Sequence, residues 1–184
     1  MVSLENRGVG LMGRYEFAPA IAVFNELIAK APERSQNLLN LAIAHLNRQQ
    51  EGDVLTAERL IDEALSKQPS DLRAQYCKAI LLLNGGQPTK ALAYFQQVAA
   101  GDPKDAFAVY YRGQCLLAAN DPAGALVAFQ EASRLDPSLR SANYGAFQSL
   151  QRLKRPEDAK VQLTIFDKLK DDPQARLVEF KYCI

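Results

Sequence analysis

The single histidine of this chain, His45, is the first residue to consider for proton transfer or metal ligation, and it lacks the companions either role requires. A common zinc site needs a second imidazole or paired thiolates, and Cys77, Cys115 and Cys183 show no close metal-type spacing. Any Ser-His or Cys-His nucleophile pair would have to recruit His45, and nothing beside it in sequence indicates such a pair. Gly85-Gly86 lacks the Lys-Ser/Thr context of a phosphate loop and reads as a turn. Glu58, Asp62 and Glu63 share a helical stretch with basic neighbours and read as solvated surface. No catalytic residue, cofactor or metal is therefore expected, and an odd cysteine count speaks against a disulfide framework.

What remains is the chemistry of recognition. Tyr76, Tyr110 and Tyr144 lie 34 residues apart, and each offers a rigid apolar face with a hydroxyl at its tip. Lys78 and Arg112 stand at the same interval, at places where an apolar residue such as Leu41 would be ordinary. Two readings of that pair stay open. Long cationic side chains bury their stems and keep the head in water, or the two heads act as basic anchors for an acidic ligand side chain.

The elements that carry these residues follow from the same interval. Ala57, Ala91, Ala125 and Ala159 form a 34-residue ladder, with Ile61, Phe95, Phe129 and Leu163 four positions later. Ala64, Val98, Ala132 and Phe166 come seven after the ladder, and Pro69, Pro103 and Pro137 twelve after its first three rungs. Upstream, Ala20, Phe24, Leu27 and Pro32 keep that internal spacing, 37 residues before their counterparts. A period of this size means one supersecondary unit stacked on copies of itself.

Each unit reads as a helical hairpin. From Ala106 to Ala118 apolar residues recur at three- and four-residue steps. Asn120-Asp121-Pro122 breaks the pattern, with Asp121 placed to accept from the exposed amides of the next helix and Pro122 suited to its first turn. Asp136-Pro137 closes that second helix. Asn84-Gly85-Gly86 and Pro88 repeat the layout one unit earlier. Closely packed antiparallel helices need a small side chain against the partner backbone, which Ala42, Ala79 and Gly113 supply on the first helices.

Composition limits the classes. The 184 residues are 48% hydrophobic, enough for a sizeable core, and 22 basic against 21 acidic residues give no electrostatic footprint for nucleic acid. No apolar run approaches the roughly 20 residues of a membrane span. Glu5, Arg7, Arg14 and Glu16 interrupt the opening stretch, which does not read as a signal peptide. On that reading the compartment is cytoplasmic, and periplasmic or exported if a leader has been removed.

The small–aromatic–small–Pro series resembles the tetratricopeptide repeat. The resemblance covers nearly the whole chain and implies an all-α fold: an α-solenoid of about five helix-turn-helix units, 1–34, 35–71, 72–105, 106–139 and 140–173, in a right-handed superhelix. A C-terminal helix, 173–184, is expected to follow from Pro173 with Leu177, Val178 and Phe180 as its apolar face, the whole forming one domain. Unit two carries three extra residues in its turn around Gln49–Asp53, and Gly8, Gly10 and Gly13 are expected to weaken the first helix of unit one. Unit five departs from the pattern by placing Phe147 where a small residue belongs. His45 falls at a first-helix place that is usually aromatic in the family, so it is expected to pack against its neighbour. A weaker resemblance links the opening Asn6–Met12 and closing Ala175–Tyr182 to segments flanking such repeats in large bacterial proteins with an integrin-like β-propeller. It implies that the chain is a fragment.

The resemblance also implies a function: a non-catalytic scaffold whose first helices line a concave groove for a peptide or partner segment. That groove would carry Asn40, Ile43 and Asn47, then Tyr76, Ile80 and Asn84, then Tyr110, Tyr111 and Gln114, then Tyr144, Gln148 and Arg152. A clamp for chaperone carboxylate tails is disfavoured, because only Asn40 and Arg73 match its scheme, while Glu5, Val9 and Cys77 occupy its other places. A neutral groove lined by aromatic and amide groups suits an uncharged or mixed peptide. The alternative is structural assembly, a homo-oligomer or a docked neighbouring domain held through the end repeats.

Overall fold

The structure is a computed structural model that describes residues 2–178. It is all-α: among the described residues ten α-helices follow one another, α1 Val2–Gly13, α2 Phe17–Lys30, α3 Ser35–Arg48, α4 Asp53–Lys67, α5 Leu72–Asn84, α6 Pro88–Gly101, α7 Ala106–Ala118, α8 Pro122–Leu135, α9 Arg140–Arg152 and α10 Pro156–Lys168. A 3-10 turn, Leu169–Asp171, succeeds them. Packing is sequential, α1 on α2, α2 on α3, α3 on α4, and again from α6 through α10. The described residues fall into two compact units, one up to Leu81 and one from Leu82 onward, so the division passes through α5.

Local chemistry sets the helix ends as the sequence requires. Asp105 Oδ1 accepts from the Phe107 and Ala108 amides at the start of α7, and Asp121 Oδ1 accepts from Gly124 at the start of α8. Asp71 does the same for Arg73 and Ala74 at the start of α5. Pro88, Pro122 and Pro156 occupy the first turns of α6, α8 and α10, where a missing N–H costs nothing. Gly86 closes its turn at φ 71°, a left-handed conformation that side chains resist.

The unit up to Leu81 is built on Phe24, Leu27, Leu38, Leu39, Ile43 and Ile61, and its ladder rung Ala57 is fully buried. Gly8 does not interrupt α1: it stands where the Phe24 ring packs, and a Cβ there would come 2.7 Å from Cε1. Its value lies in that close approach. The unit from Leu82 buries Phe95, Val109, Phe129 and Leu139, with Ala91, Ala125 and Ala159 on the ladder. Gly113 admits the Phe129 ring as a small first-helix residue should.

The C-terminal helix expected from Pro173 does not begin there. Pro173–Val178 is turn and extended chain: the Gln174 and Ala175 amides bond back to Asp172, while Arg176 and the Val178 amide bond to the entry of α9. Residues 179–184, with Phe180 and Cys183, lie outside the described residues.

Candidate functional site

Five residues of the expected groove lie on the unit up to Leu81, and all are buried or half-buried. Ile43 is fully buried among core residues and presents nothing to a ligand. Asn40 is buried, and its Oδ1 accepts from Arg73 Nη1 at 2.9 Å and from Gln36 Nε2 at 3.3 Å. The two residues that matched the carboxylate-clamp scheme thus bind each other. Ile80 is buried as well, and Asn47 is half-buried with its Nδ2 shielded from solvent. Tyr76 is half-buried.

Lys78 is held inside the fold. Its Nζ lies 2.7 Å from Asp62 and 3.1 Å from Glu58, both on α4, while its own side chain is 10% exposed. Burial lowers its pKa, but the bonds to Asp62 and Glu58 outweigh that, and the ammonium titrates above its ordinary value. Arg112 pairs with Glu131 of α8 at 2.5 Å. Neither cation is the free anchor that the sequence offered. Their partners differ for a reason visible in the repeat: the residues 34 positions after Glu58 and Asp62 are Leu92 and Gln96, so Arg112 has no carboxylate behind it and turns forward.

The hairpin of α3 and α4 contains a cluster that sequence reasoning missed. Asp53 is 2% exposed at the first position of α4. Its carboxylate lies 2.6 Å from His45 Nδ1, accepts from Arg48 Nε and Nη2 at 3.0 and 2.6 Å, and accepts from the Gln50 amide at 2.8 Å. A carboxylate only accepts, so the proton of that contact sits on His45 Nδ1. The Arg48 bonds, with help from His45 and Gln50, hold the Asp53 carboxyl far below the usual carboxylate range despite its burial. His45 therefore does more than pack: it ties the long turn shut. The available signal was an Asp following Gly52 at the mouth of a basic helix end.

In the unit from Leu82 the structure assembles an aromatic face from first helices. Tyr110 of α7 is half-buried against Phe129, with ring centroids 5.6 Å apart, and its hydroxyl accepts from Gln114 at 2.8 Å. Burial raises its pKa above the ordinary phenol value, against the hydrogen bonds of Gln114 and Ser141. Tyr144 of α9 is 41% exposed and packs its ring against Phe147 and Phe166, at 5.7 and 5.2 Å. Tyr111 instead turns inward, stacked on Phe95 at 5.2 Å and nearly parallel, so it belongs to the core. Gln148 is half-buried, Asn84 is exposed, and Arg152 donates from Nη1 to the Leu117 carbonyl at the end of α7, a second bond to an oxygen that also accepts from the Asn120 amide.

Phe166 was overlooked as a surface residue, because its place on the ladder marks it as core. The Arg140 guanidinium lies 3.8 Å from its ring centroid and donates from Nε to its carbonyl, fixing the ring beside Tyr144. Tyr110, Ser141, Tyr144, Phe166 and Leu177 together line a hollow of about 120 Å³. Among the described residues no group of His, Cys, Asp and Glu is arranged to hold a metal. Burial pushes the Cys115 thiol up to about 12, which leaves it inert as a nucleophile at neutral pH. No described helix is long and apolar enough to cross a membrane.

The family model described as tetratricopeptide repeat matches residues 47–106 and 77–139. No curated protein matches the chain. Among solved structures, residues 41 to the end of MamA from Desulfovibrio magneticus RS-1 superpose with a TM-score of 0.84 at 24% identity, covering 92% of this chain and 94% of that one. MamA of AMB-1 gives 0.81 at 16% identity over 91% and 98% of the two chains. YrrB, described as a TPR protein with an unusual peptide-binding site, gives 0.77 at 19% identity over 92% and 86%.

Proposed function

The chain belongs to the tetratricopeptide repeat family, generally non-catalytic scaffolds of protein–protein interaction, and from that premise we propose that it captures an extended peptide on the first-helix face of α7 and α9. The observation that carries this is the exposed ring of Tyr144, braced by Phe147 and Phe166 and set beside Tyr110 over an open hollow. Rigid aromatics held by neighbours lose little freedom on binding, which is why they serve as anchors. Catalysis is not part of the proposal, and the partner is a protein segment. Panning a displayed peptide library on the protein should yield binders that lose at least tenfold in affinity on Tyr144→Ser. Binders indifferent to Tyr144→Ser and to Tyr110→Ala would end this reading.

A second reading, self-association through the last hairpin, is favoured by a different observation. Ala159 is the one buried residue of α10, and Phe147, Ala159 and Leu163 line an open hollow of about 370 Å³ rimmed by Lys154, Arg155 and Lys160. A molar mass that rises with concentration in light scattering, and returns to monomer on Leu163→Lys, would favour it.

A further inference from the structure

The extended segment after the 3-10 turn lies on the face just described, and it is bound there as a peptide ligand would be. Arg176 donates its backbone N–H to the Ser138 carbonyl at 2.7 Å and accepts from the Arg140 amide at 2.9 Å, a parallel bridge to Leu139. The Val178 amide donates to Ser141 Oγ at 2.8 Å. Main-chain bonds of this kind hold any extended sequence, and the pockets along them choose among sequences.

Three side chains meet three different environments. Arg176 places Nη2 2.6 Å from Asp136 Oδ2, with its guanidinium carbon 5.6 Å from the Phe107 ring centroid. That notch is acidic on one wall and aromatic on the other, a seat for a planar cation. Val178 packs against the buried cluster of Ala106, Val109, Leu139 and Ala142. Leu177 is 53% exposed and, with Tyr110, Ser141, Tyr144 and Phe166, lines a hollow of about 120 Å³ that its side chain does not fill. Four of the wall residues come from α7 and α9 at matching repeat positions, Phe107 with Ser141 and Tyr110 with Tyr144, while Asp136 follows α8 and Phe166 belongs to α10.

We propose that this face selects an extended partner segment with Arg followed by two apolar residues, the first of them larger than Leu, and that Arg176–Val178 is the resident competitor such a partner displaces. The inference rests on the peptide-capture reading and specifies its ligand. A tethered competitor acts at an effective concentration of about a millimolar. The apparent affinity for a partner is reduced by the fraction of molecules whose seat is open. A segment that fills the hollow better than Leu177 gains the advantage that exchange requires.

The test uses a fluorescein-labelled synthetic peptide of residues 172–178 carrying Leu177→Phe. Its binding is followed by anisotropy on the 184-residue chain and on the same chain with Arg176→Glu and Val178→Asp, which unseat the resident segment. The expected result is at least tenfold tighter binding to the double variant, and no binding of the same peptide with Arg176→Glu. Equal affinities would overturn the proposal while leaving peptide capture intact, and absence of binding to the double variant would overturn it as well. Amide exchange on the unaltered chain reports independently of how the variant folds. The Arg176 and Val178 amides should exchange slowly, with Val178 released by Ser141→Ala. Fast exchange at both amides would remove the resident competitor. If panned peptides also ignore Tyr144→Ser, the capture reading falls with it.

Discussion

Gly145 on α9 faces the ring of Phe129 on α8 with no space for another carbon: a Cβ there would meet Cε1 and Cζ at 2.6 Å. On α7, Gly113 meets the same ring, where its own Cβ would come within 2.8 Å, and Phe129 is completely buried. The ring is wedged between two helices, each reduced to bare backbone at the point of approach.

Gly145→Ala should therefore destabilise the protein, although alanine favours helix. The propensity gain is about 1 kcal/mol, whereas overpacking a ring that cannot retreat costs about 1–3 kcal/mol. Thermal unfolding should move to lower temperature, and Phe129→Leu in the same chain should recover part of the loss. A variant more stable than the parent would show that the ring has room to move.

Asp53 should govern the acid limb of the stability curve. Its folded pKa is depressed, so its contribution is complete above the unfolded value, about 4, and disappears as pH falls toward the folded one. Asp53→Ala leaves His45 and Arg48 without their carboxylate and should cost about 3–5 kcal/mol at pH 7. Urea denaturation at pH 7, 5 and 3 checks both points: the difference between parent and variant should narrow at pH 3. A constant difference across the three values would mean that the carboxylate charge is not what stabilises the turn.

Lys78→Met should cost no more than about 1 kcal/mol, because Glu58 and Asp62, at 44% and 54% exposure, return to water when the cation goes. The sign of its pH dependence is opposite to that of Asp53. A raised folded pKa means the ion pair contributes fully at neutral pH and is lost only as pH rises through that value. Chemical denaturation at pH 7, in low and high salt, provides the measurement. A loss of several kcal/mol would mean that the carboxylates depend on Lys78 for more than screening.

The repeat was legible because its signal is redundant. Ala57, Ala91, Ala125 and Ala159 are all buried, and Phe95 and Phe129 fill the spaces the spacing assigned to them. The site was legible only in part. Periodicity says which helix face a residue occupies, not how deep a neighbour buries it, so Ile43 and Tyr111 went to the core while Tyr144 stayed open. Asp53 escaped notice because its partners lie across a turn with no counterpart in the other units. The extended course of Pro173–Val178 escaped because proline followed by apolar residues looks locally like a helix start. The competing attraction comes from Ser138, Arg140 and Ser141, distant in sequence and silent in any local pattern.

Lys78 and Arg112 occupy one rung of the ladder yet tether in opposite directions along the chain, the first back to α4 and the second ahead to α8. Duplicating the third hairpin directly after itself would set a copy of Lys78 against Leu92 and Gln96, a sheltered cation with no counter-ion. Placing the fourth hairpin after the second would give Arg112 carboxylates on both sides. The hairpins are thus not interchangeable bricks, and recombination that shuffles them must respect an order written in charge.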